Sequence, residues 1–286
     1  MIRLYTDTSA NLPAELIRKY AVGVIPFSYT VDGEPADYSA ETDFDGKKFY
    51  GAMRAGADVR TSMVNVSDFL GRFEADVLAG DSVLYVGMSG GISGTANSAA
   101  VAVQELRERH PGACVEAIDT FAASLGEGLL VLRAAEMIAR GDAFGDVAAD
   151  ISARRHTMCQ YFTVDDLEYL KKGGRISGAA ALIGNLLGIK PILKGDEAGR
   201  IVLCGKTRGS ERALAHLAEK YASLAEDRTA RIGIAHADNE AGAASLLASL
   251  KKCGFAGECV TVFYEPVTGG HVGPGTVALF FPGTEK

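Results

Sequence analysis

The residues best suited to chemistry in this sequence are a serine in a glycine-rich turn and a distant histidine flanked by glycines. The run GMSGG around Ser89 matches the G-x-S-x-G pattern and lies between an apolar segment and a helical one. Asp119 or Asp238, followed by His271, completes the Ser, Asp, His order of α/β-hydrolases. One hypothesis is therefore a serine hydrolase that uses Ser89 or Ser93 with His271. A structural strand-to-helix turn produces the same glycine and serine pattern and is the competing interpretation.

A second set of candidate residues offers neutral hydroxyl groups rather than an activated nucleophile. These residues lie in short loops and are Thr6, Thr8, Ser9, Thr61, Ser62, Ser93 and Thr95. Hydroxyl and amide donors bind an anionic or carboxyl head group, and Ser93 precedes an alanine-rich helical pattern whose N-terminal amides favour negative charge. Any one of these hydroxyls is equally suited to capping a helix. Their convergence at one place would indicate a binding site.

The run PVTGGHVGPG holds His271 between glycines, which predicts a loop that brings the ring close to a ligand. This run lacks the lysine of a nucleotide-binding P-loop, and G-x-x-x-x-G-K-[ST] occurs nowhere in the sequence. The first apolar run is also not followed by the G-x-G-x-x-G pattern of a dinucleotide site. We therefore expect this chain to bind no ATP by itself and to hold no redox cofactor.

Composition excludes several classes of protein. The chain has 286 residues and a net charge of −7, which opposes the basic surface that nucleic-acid binding requires. Its five cysteines form no C-x-x-C pair, so neither a disulfide framework nor a zinc site is expected, and no metal ligands are predicted. No apolar run approaches the about 20 residues of a membrane span, and the start lacks a signal-peptide pattern. We expect a cytoplasmic protein without stable membrane insertion.

These candidate residues must be positioned by two α/β units. Up to about residue 155, short apolar runs alternate with amphipathic stretches, which predicts βαβ units and a parallel sheet. Ligands bind such sheets at the carboxyl ends of the strands, where the loops DTSANLP, GMSGGISGT and DTFAASLGEG lie. Residues 156–286 mix long helical patterns with a hairpin-like run, which predicts a mixed sheet covered by helices. The predicted domains are residues 1–155 and 156–286.

Two helices are predicted early in the second unit, over DDLEYLKK and over SGAAALIGNLLG. Ser177 can cap the second helix, whose leucines and isoleucine form an apolar stripe suited to core packing. Arg175 lies between the two helices and away from that stripe, so we do not assign it to the core.

The motifs taken together resemble the DegV family, whose members include the fatty-acid-binding subunits of bacterial fatty acid kinase. The resemblance runs in order along the chain, through DTSANLP, RTSMVN, SGGISGTANSA, IDTFAASLGEG, LEYLKKGGRIS, GIKPIL with KTRG, and GGHVGPGTVALFF. LEYLKKGGRIS and GIKPIL are the most specific of these runs. In one place the chain departs from many relatives, because it reads TSMVN where they read TSQPS. The threonine and serine are retained, while the stiffness of the loop and the shape of the pocket are expected to change.

The resemblance implies a two-domain α/β fold that holds one long-chain fatty acid between its domains and presents the carboxyl group to a separate ATP-binding kinase subunit. It also implies contacts with the head group, from the Thr61 and Ser93 hydroxyls, the amide of Gly94, and His271. Ser62, one of the candidate hydroxyls next to Thr61, is predicted to bind the ligand as well. Arg175 and Arg208 are expected near the opening, to dock the kinase or guide phosphate. No catalytic residue, cofactor or metal is then expected in this chain, since the partner would supply the nucleotide and the chemistry.

Overall fold

The computed structural model describes residues 1–36, 38–40, 44–176 and 188–286. The strands are β1 Ile2–Asp7, β2 Gly23–Ile25, β3 Ser28–Val31, β4 Glu34–Ala36, β5 Val59–Ser62, β6 Ser82–Gly87, β7 Val115–Asp119, β8 Met158–Thr163, β9 Ile189–Gly195, β10 Ile201–Arg208, β11 Ile232–His236, β12 Cys259–Phe263 and β13 Val277–Pro282. The helices are α1 Ala14–Tyr20, α2 Gly46–Arg54, α3 Val66–Leu78, α4 Thr95–Arg109, α5 Leu125–Arg140, α6 Phe144–Arg154, α7 Glu168–Lys172, α8 Ser210–Leu224, α9 Glu240–Lys252 and α10 Pro266–Val272. The helix predicted to begin at Ser177 lies outside the described residues. None of the described helices has both the length and the apolar composition to cross a bilayer.

The first sheet is parallel, as the alternation of apolar and helical patterns predicts. Within the described residues its strands lie in the order β2-β1-β6-β7. β6 is buried from Val83 to Gly87, which matches its unbroken apolar run SVLYVG. Helices α3 and α4 pack together, and their aromatic and aliphatic side chains form a core with β6. The carboxyl ends of β1 and β6 lead into the two loops that carry most of the candidate hydroxyls.

The second sheet is mixed and is covered by helices, again as predicted. Its described strands lie in the order β10-β9-β8-β13-β11-β12, and all neighbours are antiparallel except β11 and β12. The predicted hairpin is the β9–β10 pair, with a bulge between Leu203 and Gly205. Helices α8 and α9 contact this sheet. Together the two sheets give the two-domain α/β fold.

Helix α5 packs against strands of both sheets. Gly233 of β11 permits this approach, because a Cβ atom there would lie 2.6 Å from the Cβ of Leu125. The largest apolar cluster consequently includes Leu84 of the first sheet, Leu130 of α5 and Phe280 of the second sheet. The two halves share one continuous core, and the domain boundary near residue 155 stays a prediction.

A small antiparallel sheet, β4-β3-β5, was not predicted. The run VGVIPFSYTV looks like one strand in the sequence, but it divides into β2 and β3, which belong to different sheets. Pro26 lies at the division, where it has no N–H to donate to a ladder. The small sheet matters for function because β5 carries Thr61.

Buried carboxyl groups anchor the loops at the carboxyl ends of β1 and β6. Asp7 accepts hydrogen bonds from the Tyr85 hydroxyl at 2.5 Å and from the Met88 amide at 3.2 Å. The Ser9 hydroxyl lies 2.5 Å from Asp7 Oδ1 and 2.8 Å from Glu127 Oε2. A hydroxyl has one hydrogen, so one of the two carboxyl groups must hold a proton. Burial raises the pKa of both groups, and the nearby Asp7 carboxyl raises that of Glu127 further, which favours Glu127 as the protonated partner.

Candidate binding site between the two sheets

A pocket opens where β5, the loop after β6, and α10 meet. The described residues that line it are mainly apolar, and its polar ones include Thr61, Ser93, Arg175 and His271. About 440 Å³ at this pocket is not filled by protein atoms, a volume that includes space open to solvent. Four of the candidate residues, from four separate parts of the sequence, are thus brought to one place, which we call the mouth.

His271 lies in the last turn of helix α10, so the prediction of a loop at this position is wrong. The glycines instead allow the helix to pack closely. A Cβ atom on Gly269 would lie 2.1 Å from the Tyr50 hydroxyl, and one on Gly270 would lie 2.7 Å from a methyl group of Val59. Close packing against β5 brings the His271 Nε2 atom to 2.8 Å from the Thr61 hydroxyl oxygen.

The His271 ring is held neutral at this position. Burial and the positive charge of Arg175 lower the pKa of His271 to about 4. On its other side the ring lies against the backbone of Gly173, where a Cβ atom would be 2.3 Å from Nδ1. At neutral pH the imidazole is therefore a neutral hydrogen-bonding group rather than a cation.

The start of α10 is set by Glu265, which the sequence analysis did not identify. One Glu265 oxygen accepts from the Val267 amide at 2.6 Å, and the other accepts from the Thr268 amide at 2.6 Å and from the Thr268 hydroxyl. Burial raises the pKa of Glu265 to about 7. An acidic residue just before a proline is a signal for a helix start, and it could have been recognised at Glu265-Pro266.

Ser93 lies just before α4 and is fixed by Thr95. The Ser93 hydroxyl donates to Thr95 Oγ1 at 3.0 Å, and the Val64 amide donates to the same oxygen at 3.2 Å. Thr95 therefore ties the loop after β5 to the loop after β6. Val64 is buried, so the TSMVN run is anchored although it lacks the proline of many relatives. Met63 from the same run is exposed at the mouth, and its sulfur occupies the space that a side chain on Gly94 would fill.

The other predicted binding residues are not among the described residues that line the pocket. Gly94 is exposed at the start of α4, beside Met63. Ser62 follows Thr61 on β5 and is exposed, and alternation along a strand directs it to the opposite face. Arg208 is exposed at the end of β10 and is not among the residues that line the pocket. The structure does not bring Ser62 or Arg208 to the pocket wall.

The Arg175 guanidinium at the mouth is hydrogen-bonded to backbone carbonyl groups. Its Nε atom donates to the Ile92 carbonyl at 3.1 Å, and Nη1 donates to the Gly173 carbonyl. In the described part of the chain, no carboxylate forms an ion pair with this guanidinium. A half-buried cation without a counter-ion suits an anionic ligand group.

A second, deeper cavity adjoins the first. The two share Ile92, Ile201, Thr268 and Val272 as wall residues, and the deeper one also contains about 440 Å³ of unfilled space. Further wall residues such as Phe162 and Phe280 belong to the large shared core. The pair of cavities thus leads from a polar mouth into the apolar interior, an arrangement that suits an amphipathic ligand.

Each residue proposed for a hydrolase triad forms its hydrogen bonds or ion pair with a residue outside that triad. Ser89 is fully buried, donates to the Gly199 carbonyl at 2.9 Å and accepts from the Gly91 amide at 3.0 Å. Asp119 accepts from the Gly90 amide, and Asp238 pairs with Arg54. His271 contacts Thr61, and Ser93 contacts Thr95. This geometry supports the interpretation of GMSGG as a structural turn.

The fold and the mouth define a class of two-domain α/β proteins with an amphipathic cavity between their sheets. Residues 1–283 match the family model described as "Uncharacterised protein, DegV family", and the chain belongs to the DegV family. A DegV domain-containing protein of Clostridium perfringens is 34% identical over 284 residues, which are 99% of this chain and 98% of that one.

Solved structures of DegV proteins have the same fold. A DegV family protein from Thermus thermophilus, described with fatty acid binding, has a TM-score of 0.87 at 32% identity and covers 98% of both chains. A protein of Thermotoga maritima, for which fatty acid binding function is described, has a TM-score of 0.81 at 30% identity and covers 98% of both chains. These likenesses confirm the α/β two-domain fold that the sequence predicts.

Proposed function

We propose that this protein binds one long-chain fatty acid in the two adjoining cavities and presents its carboxyl group to a separate ATP-dependent kinase subunit for acyl-phosphate formation. The carboxyl group contacts Thr61, Ser93 and His271 at the mouth, beside Arg175. The tail extends into the deeper cavity. The protein then works as a carrier in the cytoplasm and contributes no catalytic group of its own.

The strongest support is the guanidinium of Arg175, which lacks a carboxylate partner within the described residues and lies beside two hydroxyl-bearing side chains and a neutral imidazole. A ligand carboxylate would supply the missing counter-charge. Hydrogen bonds to charged groups are stronger than neutral ones, so this contact would orient the ligand.

The apolar cavities support a long hydrocarbon tail. Burial of a methylene group is worth about 0.8 kcal/mol, so a chain of roughly fourteen methylenes offers on the order of 11 kcal/mol before the costs of binding. The tail would therefore dominate the affinity, while the mouth would fix the position of the carboxyl group. The fatty acid binding described for the Thermus thermophilus and Thermotoga maritima proteins supports a ligand of this class.

Two features support transfer to a kinase partner. The mouth is bordered by exposed Met63 and Gly94, so a carboxyl oxygen there would be reachable from outside. The sequence contains no P-loop, so the phosphoryl donor would have to be held by another chain. Exposed Arg208 and half-buried Arg175 are the candidates for docking that chain or guiding phosphate.

Fatty acid binding is tested by native mass spectrometry of the recombinant protein and by titration after delipidation. We expect a co-purified fatty acid. The double variant Thr61→Ala/Ser93→Ala should bind roughly 30-fold more weakly, since it loses two hydrogen bonds of about 1 kcal/mol each. Ser62→Ala is the matched control, because Ser62 is exposed on the other face of β5, and its affinity should be unchanged. A delipidated protein that binds no fatty acid would refute the proposal.

The kinase step is tested by incubating the loaded protein with a candidate kinase subunit and ATP. Hydroxylamine trapping should detect an acyl-phosphate that forms with both proteins present and with neither alone. Fatty acid binding without any acyl-phosphate, across several DegV-associated kinases, would limit the function to carriage of the acid.

A further inference from the structure

The wall of the deeper cavity is apolar except for a few polar side chains. Ser124, Gln160, Tyr264 and Thr268 interrupt a lining that otherwise consists largely of residues such as Phe162 and Phe280. A cavity built for a plain hydrocarbon tail has no use for polar groups unless other protein groups satisfy them. The hydrogen bonds of these four side chains therefore bear on which ligand fits.

Two of the four are satisfied within the protein. Gln160 accepts from the Ala123 amide at 3.0 Å and donates to the Phe121 carbonyl at 2.9 Å. The Thr268 hydroxyl donates to Glu265. These side chains need nothing from a ligand.

The other two retain a hydroxyl hydrogen without an acceptor. Ser124 accepts from the Asn11 side-chain amide at 3.2 Å, but in the described part of the chain its own hydrogen has no acceptor. No hydrogen bond of the Tyr264 hydroxyl is found among the described residues, and this oxygen is not one of their fully enclosed, unpartnered polar atoms. Both residues are nearly inaccessible to bulk solvent, with 1% and 3% of their surface exposed. Because Tyr264 and Ser124 both line the deeper cavity, a ligand oxygen bound there would give these hydroxyls an acceptor that the described residues do not provide.

The acceptor must be neutral. The described residues that line the deeper cavity include no lysine or arginine to balance a second carboxylate. The Glu265 carboxylate, which holds the wall residue Thr268, would repel an anion. An ether-like, hydroxyl or carbonyl oxygen accepts a hydrogen bond without a counter-charge.

We propose that the deeper cavity receives the distal part of a fatty acid that carries a hydroxyl or oxo oxygen, and that Tyr264 and Ser124 donate hydrogen bonds to that oxygen. This inference rests on the proposed function and names the class of acid within it. A plain alkyl chain would leave both hydroxyls unpaired, whereas an oxygen at the right carbon would satisfy them. Sites built to hydrogen-bond a ligand group discriminate strongly against ligands that lack it.

The test compares ligands of equal length by calorimetric titration of the delipidated protein. The ligands are octadecanoic acid and its monohydroxy and monooxo derivatives, substituted at successive carbons in the middle and distal parts of the chain. We expect one or two adjacent positional isomers to bind at least about tenfold more tightly than octadecanoic acid. Tyr264→Phe and Ser124→Ala should each reduce that preference while leaving the affinity for octadecanoic acid equal or higher, because each removes an unpaired hydroxyl.

Tyr161→Phe is the matched control, since Tyr161 is a buried tyrosine that lines neither of the two cavities. It should leave the preference unchanged, and thermal unfolding checks that every variant folds. If octadecanoic acid binds as tightly as every oxygenated isomer, or if the preference survives in both variants, the inference is overturned while fatty acid binding stands. If no acid binds at all, the proposed function itself fails.

Discussion

His271 shows how its surroundings decide what a histidine can do. The sequence suggested half of a catalytic pair, but the ring contacts Thr61, and burial together with the positive charge of Arg175 keeps it neutral. A base with a pKa of about 4 is a poor proton acceptor at neutral pH. Its role in the proposed site is to shape and hydrogen-bond the head-group pocket.

The lowered pKa of His271 predicts an acid sensitivity of the unoccupied protein. The folded pKa of about 4 lies below the ordinary value of 6.5, so the unfolded chain binds more protons between these two values. Stability is therefore lost as the pH falls through this window, by ~2 to 3 kcal/mol from this residue. Urea unfolding at pH 7 and pH 4.5 should show a smaller loss in His271→Gln than in the unaltered protein. An equal loss in the two proteins would contradict the assignment.

The raised pKa of Glu265 predicts the opposite pH dependence of stability. Its folded pKa of about 7 lies above the ordinary value of 4.5, so the native state holds the extra proton between these values. The contribution of this group is fully present below pH 4.5 and is lost as the pH rises through 7. The glutamine of Glu265→Gln stays neutral, so this variant should lose less stability than the unaltered protein when the pH rises from 5 to 8. Asp227→Asn is a control because Asp227 is an exposed carboxylate, unlike Glu265. It should leave the stability difference between pH 5 and pH 8 nearly unaltered.

Residue types and the family resemblance together predicted part of the mouth. Thr61, Ser93 and His271 were named from the sequence, and the structure brings them together with Arg175. Ser62 was named as a further hydroxyl donor, but the alternation of the strand directs it to the face opposite Thr61. Glu265 was missed although the Glu265-Pro266 pair signals a helix start, whereas the burial that raises its pKa cannot be read from its immediate sequence.

Helix α10 is the element on which the site depends most. Its sequence is rich in glycine, which favours turns, and the prediction of a loop followed from that local signal. The structure shows that tertiary packing overrides this preference, because Gly269 and Gly270 lie where Tyr50 and Val59 leave no room for a side chain. A single sequence contains no direct sign of such a contact.

This packing predicts an unequal response to the same substitution in two helices. Gly269→Ala should destabilise the protein by about 1 to 3 kcal/mol and weaken fatty acid binding, because the new methyl group would push α10 away from Tyr50. Gly51→Ala in α2 should instead be neutral or stabilise by up to about 1 kcal/mol, since no described heavy atom lies near the added methyl group. Urea unfolding midpoints and ligand titration measure both effects. Equal midpoints for the two variants would refute this account of the glycines.

At the scale of the whole molecule, the sequence predicted two α/β units and the class of each sheet, because strand and helix periodicities are local properties. It did not predict the small sheet of β3, β4 and β5, nor the position of α5 between the two large sheets. Both arise from contacts between distant segments. The turn of the β9–β10 hairpin adds another such contact, since the Gly199 carbonyl accepts from Ser89 and joins the two halves beside the deeper cavity.

The positions of Arg208 and Arg175 predict that fatty acid binding and phosphoryl transfer can be separated by substitution. Arg208 is exposed on an edge strand of the second sheet, away from the cavity walls, whereas Arg175 lines the mouth. Arg208→Ala should reduce the rate of acyl-phosphate formation with a kinase partner severalfold and leave fatty acid affinity unchanged, while Arg175→Ala should reduce both. Lys251→Ala, on α9 beside the opposite end of the sheet, is the control and should alter neither. If Arg208→Ala transfers phosphate at the normal rate, Arg208 has no part in docking.

The walls of the deeper cavity are also residues of the core shared by both sheets. An acyl chain bound there would fill the same interior that Phe162 and Phe280 fill, so the cargo would act as one more core side chain, supplied from outside the sequence. The folded state would then be incomplete without it, and its melting temperature would rise with the concentration and affinity of the ligand. A thermal scan of freshly purified protein would thus report the fraction of molecules that carry cargo.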